Sequence, residues 1–316
     1  MTVTRQMLTL FHRAVGQFVP LDEFRRVLDS PKASVAKELA ELEKLGFEIE
    51  AHPHWGFRLL QTPDRLMADD LQARFQPQTI GHQILVFEET ASTNDVVEHL
   101  ALKDSTEGAV VFAETQTRGR GRHGRVWTSP RGKGLWFSVL LRPRFPPPRI
   151  TIAASVAVVR AVRDWCGVEC RIKWPNDVIV AGKKLAGILT EVRGATAVLG
   201  LGVNVNCQPT DFPTDLQTVA TSLEILTGRR HDRPALAARL LKELDRYYLQ
   251  AAQNFDALSE EWAGLSTTLG KQLVLTIGTR RIEGQAFALD GNGALILRRD
   301  NGQTERIVGA DVTVER

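Results

Sequence analysis

The spacing of apolar residues predicts a helical region at the N-terminus of the chain. Helical spacing occurs in three segments, at 4–14, 21–28 and 35–42. Ser30 and Pro31 supply an N-cap and a first-turn proline for the third helix, and Gly46 ends it. Alternating residues on both sides of His52-Pro53-His54 then predict a small hairpin. This order is typical of a winged helix-turn-helix, which we expect over residues 1–63.

A larger domain of mixed strands and helices is predicted over residues 64–266. Its first part, 63–78, has the pattern of a connector with one short helix. Strand patterns occur at 83–87, 109–113, 135–141, 170–174, 178–180, 185–192 and 196–201, and helical patterns at 151–166 and 234–254. Because hairpins outnumber strand–helix–strand units, we expect an α+β fold with a mixed sheet rather than a doubly wound parallel one.

Short alternating strands dominate the last region, residues 267–316. The predicted strands are 272–277, 281–289, 294–298 and 304–308. Turn sequences at Asp290-Gly291-Asn292-Gly293 and Asp300-Asn301-Gly302 separate them. This pattern is typical of a small β-barrel of SH3-like size.

Composition and charge are those of an ordinary globular protein. Hydrophobic residues make up 43% of the 316 residues, and the net charge of +3 does not argue for nucleic acid. Cys166, Cys170 and Cys207 form no C-x-x-C pair and accompany no histidine cluster, so we expect reduced packing residues and no metal-binding residues. The sequence contains no secretory signal and no apolar run of membrane length, which predicts a cytoplasmic protein without a membrane partner.

An alternation of glycine and cation, Arg118-Gly119-Arg120-Gly121-Arg122-His123-Gly124-Arg125, is the most informative motif of the chain. It begins a stretch, 118–149, that contains no Asp or Glu. Glycine lets a backbone approach a ligand closely, and guanidinium groups bind carboxylate or phosphate bidentately. The motif is therefore predicted to hold an anion.

The context of this motif excludes two familiar glycine loops. Gly119, Gly121 and Gly124 match the spacing of dinucleotide-binding and protein-kinase loops. A dinucleotide loop begins a helix and has an acidic residue about 20 positions later, whereas Pro130 and a predicted strand follow here. The other kinase motifs are absent from the sequence. A solvated surface loop and a basic stripe for nucleic acid stay open on this motif alone.

Further polar clusters accompany the motif. Ser92-Thr93-Asn94 follows the first strand of the larger domain, and Gln116 lies just before the glycines. These neutral groups suit an uncharged polar group such as a urea, although alone they more often form turns and caps. Lys173-Trp174-Pro175-Asn176-Asp177 ends a strand, and Lys184 begins the return strand. Asn204 follows an apolar strand.

Together these motifs resemble the biotin protein ligase family. The matching segments, in the order and spacing of the family, are 89–94, 116–125, 173–177, 184–189 and 202–205. The resemblance implies a central domain of the biotin/lipoate ligase type, which uses ATP and Mg²⁺ to convert biotin to biotinyl-5′-AMP. It also implies transfer of biotin to a lysine of the biotin carboxyl carrier protein domain of acetyl-CoA carboxylase. With its predicted outer domains, the chain is similar to the bifunctional class that represses the biotin operon.

The resemblance also implies roles for individual residues. The biotin-binding residues would be Ser92, Thr93, Asn94, Gln116, Arg120, Gly121, Arg122 and Lys184. The residues for ATP or the adenylate would be Arg120, Arg122, Trp127 and Asn204. The catalytic residues would be Lys184, Arg122 and Asp177. Cations are needed because a carboxylate must attack a negatively charged phosphate. Backbone N–H groups of Gly119 and Gly121 would add donors, and Asp177 would place the metal or the attacking lysine.

The N-terminal region departs from the pattern of a DNA-binding repressor. Residues 1–65 carry nine Lys and Arg against nine Asp and Glu, and the third helix contains Glu38, Glu41 and Glu43. DNA affinity comes largely from phosphate neutralisation. Operator binding, a homodimer, and a domain that only packs against the ligase therefore all stay open.

Two other functions also stay open. A lipoyl or octanoyl transferase has a similar fold, although the Gly–Arg motif and the segment 173–177 argue against it. The other is a repressor that senses biotinyl-adenylate without transferring biotin.

Overall fold

The computed structural model describes residues 2–29, 32–103, 105–309 and 311–315. Its N-terminal region contains α1 (Val3–Ala14), α2 (Leu21–Leu28) and α3 (Lys32–Lys44), followed by β1 (Glu48–His52) and β2 (Gly56–Gln61). These elements lie where the apolar spacing predicts them, and β1 and β2 pair antiparallel. The predicted cap at Ser30 and Pro31 lies outside the described residues.

A separate apolar core holds these helices and the hairpin together. Met7 and Phe24 are fully buried in it, and Phe11 and Phe47 are 2% exposed. Phe57 of β2 packs against the same cluster. Burial of each such side chain contributes about 1.5–3 kcal/mol, which stabilises helices that would be marginal in isolation.

The central region is built on a mixed sheet. In chain order it contains α4 (Ala68–Ala73), β3 (Ile84–Phe87), α5 (Thr93–Leu102), β4 (Val110–Ala113), β5 (Gly134–Leu141), α6 (Pro148–Cys166), β6 (Arg171–Lys173), β7 (Asp177–Val180), β8 (Lys183–Arg193), β9 (Thr196–Asn204), α7 (Leu223–Thr227), α8 (Arg233–Gln253) and α9 (Phe255–Leu265). Within the described residues, the strand order is β3-β4-β5-β9-β8-β7-β6. β3 and β4 are parallel and the other neighbours antiparallel, which confirms the predicted mixed sheet.

Besides α7 and α9, which the apolar spacing does not predict, two elements of this region differ from the sequence prediction. Helix α5 is not predicted, because it buries the polar Thr93 and Asn94 beside Val97 and therefore lacks a continuous apolar stripe. Strand β9 continues to Asn204 instead of ending at residue 201. Its last residue pairs with Gly134 of β5, so the ladder extends past the apolar run.

Helices cover both faces of the sheet. The larger cluster of buried side chains joins Phe137 and Val139 of β5 to α6 and α8. A smaller cluster joins Leu140 of β5 to Val97 of α5. Because successive side chains of a strand alternate between faces, Ser138 points to the same side as Leu140, toward α5.

Buried ion pairs hold the connector that precedes β3 against the central domain. Arg233 of α8, 1% exposed, donates to Asp64 Oδ1 at 2.8 Å and to Glu114 Oε2 at 2.6 Å. Asp245 of α8 accepts hydrogen bonds from backbone N–H groups of residues 78–80 at 2.6–2.9 Å. Buried charges are tolerated only when paired and hydrogen-bonded, so these contacts determine where the connector lies.

The C-terminal region is an antiparallel sheet. It contains β10 (Gln272–Ile277), β11 (Arg280–Leu289), β12 (Leu295–Arg298), β13 (Thr304–Ile307) and β14 (Asp311–Glu315), of which β14 is not predicted. Within the described residues, the order is β13-β12-β11-β10-β14. At the predicted turn, Asp290 Oδ1 accepts from the backbone N–H groups of Asn292 at 2.9 Å and Ala294 at 2.8 Å. Gly293 has a φ of +84°, a value that favours glycine.

Candidate active site

One cavity brings the predicted site residues together. It has a volume of about 550 Å³ and is bordered by the start of α5, the Gly–Arg motif and strands β7, β8 and β9. Its walls include Ser92, Thr93, Asn94, Gln116, Arg120, Gly121, Arg122, Trp127, Asp177, Lys184 and Asn204. All the predicted biotin-binding, adenylate-binding and catalytic residues therefore line one cavity, although they come from distant parts of the chain, whereas Gly119, which is expected to add a backbone donor, is not part of its wall.

The start of α5 and the residue before the motif supply neutral hydrogen-bonding groups. Ser92 is the N-cap residue of α5, but its hydroxyl makes no capping hydrogen bond. The backbone N–H of Thr93 donates to Gln116 Oε1 at 2.9 Å. Gln116 Nε2 donates to Ser129 Oγ at 3.0 Å. The amide of Gln116 is thus held in one orientation, with its oxygen toward α5.

The Gly–Arg loop, defined here as residues 118–127, folds back on itself. The backbone N–H of Gly121 donates to the carbonyl of Arg125 at 2.7 Å, and that of Trp127 donates to Gly119 at 2.9 Å. His123 at the tip has a φ of +55°. In this conformation the N–H of Gly121 donates within the loop, whereas the family resemblance implies that it adds a donor for the ligand.

Arg120 forms an ion-pair network inside the cavity wall. Its guanidinium hydrogen-bonds to Asp95 of α5 and lies 3.0 Å from Glu191 Oε2 of β8. Burial opposes its charge, but the hydrogen bonds to Asp95 and Glu191 outweigh burial and raise the pKa of Arg120 above its usual value. These carboxylates already neutralise the Arg120 guanidinium. The resemblance implies instead that Arg120 faces the ligand, so the observed ion pairs differ from the expected role. The carboxylates lie on α5 and β8, outside the acid-free stretch of sequence.

Lys184 and Arg122 place cations in the cavity wall. Lys184 Nζ lies 2.6 Å from Asp177 Oδ1 and 5.2 Å from the ring centroid of Trp127. Arg122 lines this cavity and also a smaller one of about 210 Å³. A Cβ atom on Gly309 would lie 3.2 Å from Arg122 Nη2, so the guanidinium reaches the C-terminal region. The cations are thus carried by the loop and β8, and the neutral groups largely by α5.

Two glycines of the sheet make room for Trp127. A Cβ atom on Gly202 of β9 would lie 2.3 Å from the indole, and one on Gly187 of β8 would lie 2.7 Å from it. The indole therefore lies directly against the backbone of both strands. Its buried Nε1 has no hydrogen-bond partner among the described residues. A ligand that accepts from this N–H would satisfy it.

The family resemblance implies that this cavity binds biotinyl-adenylate, and on that expectation the variant Gly202→Ala should weaken adenylate binding about tenfold. The added methyl group must displace the indole of Trp127, and overpacking of this kind costs about 1–3 kcal/mol. Titration of the purified variant with a non-hydrolysable biotinyl-adenylate analogue measures the change. Gly264→Ala in α9, where the new Cβ meets nothing within 4 Å, is the matched control. Equal affinity in the two variants would contradict the assigned position of Trp127.

Asn204 is held rigidly at the end of β9. Its side chain is 4% exposed, and its Nδ2 donates to the carbonyl of Thr221 at 2.9 Å. This hydrogen bond orients the amide, so its oxygen keeps a constant position at the cavity wall.

Sequence reasoning misses several residues that shape the site. Ser138 and Glu191 bind the side chain of Asn94, and Gly200 makes space for it, since a Cβ there would lie 2.4 Å from Asn94 Oδ1. Glycine within a buried strand is a signal of such close approach, and Gly200 and Gly202 provide it. No local pattern identifies Ser138 or Glu191.

The remaining site predictions concern cysteines, metals and membranes. Burial raises the pKa of the Cys170 and Cys207 thiols to about 12, in agreement with packing roles. The described residues contain no group of three or more His, Cys, Asp or Glu side chains placed to hold a metal ion. In the same part of the chain, no helix has the length and apolar character needed to cross a bilayer.

Comparisons with known proteins identify the family. Residues 86–207 match the biotin/lipoate A/B protein ligase family, and residues 268–314 match the biotin protein ligase C-terminal domain. The chain is 32% identical, over 98% of both chains, to the bifunctional ligase/repressor BirA of Bacillus subtilis. It is 35% identical to the biotin--[acetyl-CoA-carboxylase] ligase of Mycobacterium tuberculosis, over 79% of this chain and 97% of that one.

A solved structure extends this likeness to the fold. The biotin protein ligase from Aquifex aeolicus in complex with biotin and ATP matches with a TM-score of 0.65 and 27% identity, over 73% of this chain and 98% of that one. The match in sequence covers nearly the whole chain, and the match in structure covers most of it. This chain belongs to the biotin protein ligase family.

Proposed function

We propose that this protein activates biotin with ATP to biotinyl-5′-AMP and transfers the biotin to a lysine of a biotin carboxyl carrier protein domain. The observation that carries the proposal is one cavity lined both by the ordered neutral groups Thr93 and Gln116 and by the cations Arg122 and Lys184. The relatives support it, since one is named for acetyl-CoA carboxylase and another was solved with biotin and ATP.

The neutral groups are proposed to bind the ureido ring of biotin. A cyclic urea has two N–H donors and one carbonyl acceptor, which matches the hydroxyl and amide groups of Ser92, Thr93, Asn94 and Gln116. These side chains are half-buried or buried and line the cavity. Trp127 and Asn204, on another part of the wall, are proposed to contact the adenylate.

The cations are proposed to promote the first chemical step. A carboxylate oxygen of biotin attacks the α-phosphorus of ATP, and the bond to pyrophosphate breaks. Lys184 and Arg122 reduce the repulsion between the two anions and stabilise the charge of the transition state. In the second step, the amine of the carrier lysine attacks the acyl carbon and AMP leaves. Asp177 lies 2.6 Å from Lys184 Nζ. It is proposed to orient either Lys184 or the attacking amine of the carrier lysine.

Mg²⁺ is proposed as the cofactor of the first step. Asp177 and Asp215 line the cavity, and they are the carboxylates available there. Proteins often hold Mg²⁺ with one or two carboxylates together with substrate phosphates. The residues therefore fit a cation that enters with ATP, and when bound it would neutralise charge on the leaving pyrophosphate.

The Gly–Arg loop is expected to become more resistant to trypsin when the adenylate is bound. The loop exposes Val126 by 80% and contains several arginines. Bound adenylate would contact the loop and hold it over the cavity. Limited proteolysis with and without biotin plus ATP, followed by mass spectrometry, measures cleavage within residues 118–125. Cleavage at the distant Arg280 and Arg281 serves as the internal control. Equal loop cleavage in both samples would contradict the prediction that bound adenylate holds the loop over the cavity.

The outer regions are proposed to be a winged helix-turn-helix domain over residues 1–63 and an SH3-like barrel over 267–316, on either side of a catalytic domain at 64–266. The order α1, α2, α3 and then the β1–β2 hairpin supports the first assignment. The antiparallel sheet β10–β14 and the C-terminal family match support the second.

A repressor role is a second candidate function, favoured by the match to a relative named ligase/repressor over 98% of this chain. Several cations of the N-terminal region are already paired with carboxylates, including Arg58 with Glu50 and Lys44 with Glu41. Fluorescence anisotropy with DNA upstream of biotin genes, at several salt concentrations, tests this role. Tight binding that weakens steeply with salt is expected of a repressor, and its absence would leave a domain that only packs against the ligase. A homodimer and a cytoplasmic location stay predictions.

Purified protein, ATP and an apo carrier domain together test the enzymatic proposal. We expect pyrophosphate release that requires biotin, and then biotin on the carrier lysine. Transfer of lipoate instead would identify a lipoyl or octanoyl transferase. Adenylate formation without any transfer would identify a biotinyl-adenylate sensor.

A further inference from the structure

A continuous row of hydrogen bonds runs beneath the cavity from Thr93 to Glu191. Thr93 Oγ1 lies 2.7 Å from Ser138 Oγ. Ser138 Oγ lies 2.5 Å from Asn94 Oδ1, and Asn94 Nδ2 donates to Glu191 Oε2. Ser138 is fully buried and Thr93 and Asn94 nearly so, which means that bulk water does not compete for these groups.

The carboxylate of Glu191 determines the direction of every hydrogen bond in this row. A carboxylate only accepts, so Asn94 must turn its NH₂ group toward Glu191 and its oxygen toward Ser138. Ser138 has one proton and must donate it to that oxygen. The 2.7 Å contact between the two hydroxyls then requires Thr93 to donate to Ser138.

Thr93 therefore has no proton left for the ligand. Its hydroxyl also lies 3.1 Å from Gln116 Oε1, but the hydroxyl has a single proton, and the shorter 2.7 Å contact to Ser138 takes it. What Thr93 offers to the cavity is a lone pair. A ligand group placed there must be a donor, because two facing acceptors would both stay unsatisfied.

We propose that Glu191 is a positioning residue that makes Thr93 Oγ1 an obligatory acceptor and so selects a ligand with an N–H group, the ring urea of biotin. This inference rests on the proposed function. Ser138 transmits the effect through its single proton. Glu191 itself lines no part of the main cavity wall, so it acts on the ligand through its neighbours, and the route that we propose runs through Asn94, Ser138 and Thr93.

The surroundings hold Glu191 and Asn94 in place. Arg120 Nη2 donates to Glu191 Oε2 at 3.0 Å and Nε lies 3.4 Å from Oε1. Gly200 of β9 leaves the space that Asn94 occupies, since a Cβ there would lie 2.4 Å from Asn94 Oδ1. Side chains that are locked in this way keep one hydrogen-bonding pattern instead of alternating between two.

The variant Glu191→Gln tests the proposal. Glutamine can also donate, so the side-chain amide of Asn94 is free to exchange the positions of its oxygen and its NH₂ group. Ser138 can then donate to Thr93, and Thr93 can present its proton to the urea. We expect the Kd and KM for biotin to rise about tenfold to a hundredfold, the range for an unsatisfied buried polar group. The kcat at saturating biotin and the KM for ATP should change less than threefold. Isothermal titration and steady-state assays of the full-length protein measure these values.

Ligand analogues separate a change of hydrogen-bond direction from general damage to the site. Desthiobiotin keeps the urea and should lose as much affinity as biotin does in Glu191→Gln. Two cyclic carbamate isomers replace one or the other urea N–H by oxygen. One isomer lacks the N–H group that faces Thr93. The wild-type protein should bind this isomer more weakly than biotin, and Glu191→Gln should bind it no more weakly than the wild-type protein does. If Glu191→Gln lost affinity for both carbamate isomers by the same factor as for biotin, the proposal would be overturned.

Two further variants test the path of the effect. Asp95→Asn removes another partner of Arg120 without changing the row, and it should leave the Kd for biotin within about threefold of wild type, which is less than one hydrogen bond contributes. Ser138→Ala interrupts the row and should reproduce the loss seen with Glu191→Gln. Equal losses in Glu191→Gln and Asp95→Asn would show that Arg120 carries the effect and would overturn the proposal. If the wild-type protein does not bind biotin at all, the proposed function fails instead, and the two failures are thereby distinguished.

Discussion

Replacement of Lys184 by alanine is expected to slow biotin-dependent pyrophosphate release by about a hundredfold or more. Lys184 lines the cavity close to Asp177 and the Trp127 ring. Removal of one preorganised group that stabilises transition-state charge typically costs about 10²–10³ in kcat. The loss leaves Asp177 as a carboxylate without its partner near an anionic substrate, which adds repulsion. A continuous assay for pyrophosphate at saturating biotin and ATP measures the rate.

The adjacent Lys183 provides a matched control. It is exposed and lies outside the cavity, whereas Lys184 is half-buried in its wall. Lys183→Ala removes the same charge from the same strand and should leave the rate within about twofold, as is usual for surface substitutions. If both variants kept full activity, Lys184 would have no part in the site.

Replacement of Arg122 by glycine is expected to release the adenylate from the enzyme. Arg122 belongs to the Gly–Arg loop and lies where the main cavity meets the smaller one beside Gly309. A charge-assisted hydrogen bond contributes about 1.5–3 kcal/mol, so its loss should raise the rate of adenylate escape by about 10–150-fold. Free biotinyl-adenylate acylates amines without an enzyme. We therefore expect biotin to appear on lysines of a bystander protein such as serum albumin.

Arg118→Gly is the control for this experiment. Arg118 is exposed and is not part of the cavity wall, although it lies in the same loop. Streptavidin blotting of the bystander protein compares the two variants at equal rates of pyrophosphate release. An Arg122→Gly enzyme that labels only the carrier domain would contradict the role assigned to Arg122.

The composition of the cavity is predictable from the motifs together with the family resemblance that they carry, which implies that these distant residues share one site. Glycines and arginines at 118–125 identify a loop that approaches an anion, and Lys184 at the start of a strand next to Gly187 is directed toward the cavity. The mixed sheet follows from the hairpins between β6, β7, β8 and β9. These features depend on residues that are close together in the sequence, so they can be recognised without the structure.

Contacts between distant segments are not predictable in this way. Arg120 and Glu191 are 71 positions apart, and Asn94 and Glu191 are 97 apart. Their pairing depends on the order of strands in the sheet and on the position of α5, which has only Val97 as a buried apolar residue. The expected role of Arg120 toward the ligand therefore differs from its observed ion pairs, since the carboxylates that surround it come from other elements.

The N-terminal region illustrates a different limit. Its helices and hairpin follow from apolar spacing and are present. Its function depends instead on which surface charges stay unpaired, and ion pairs such as Arg25–Asp22 and Arg26–Glu23 form between neighbours on one helix. A balanced charge is compatible with either a DNA-binding or a packing role.

The central claim is that this cavity activates biotin and delivers it to a carrier lysine. Competition tests it most directly: the purified protein is mixed with ATP, Mg²⁺, an apo carrier domain and equal concentrations of biotin and lipoate, and the carrier is weighed by intact mass spectrometry. We predict a carrier with a single biotinyl group on its acceptor lysine and no lipoyl form. A lipoylated carrier, or an unmodified carrier after biotin-dependent release of pyrophosphate, would contradict the account.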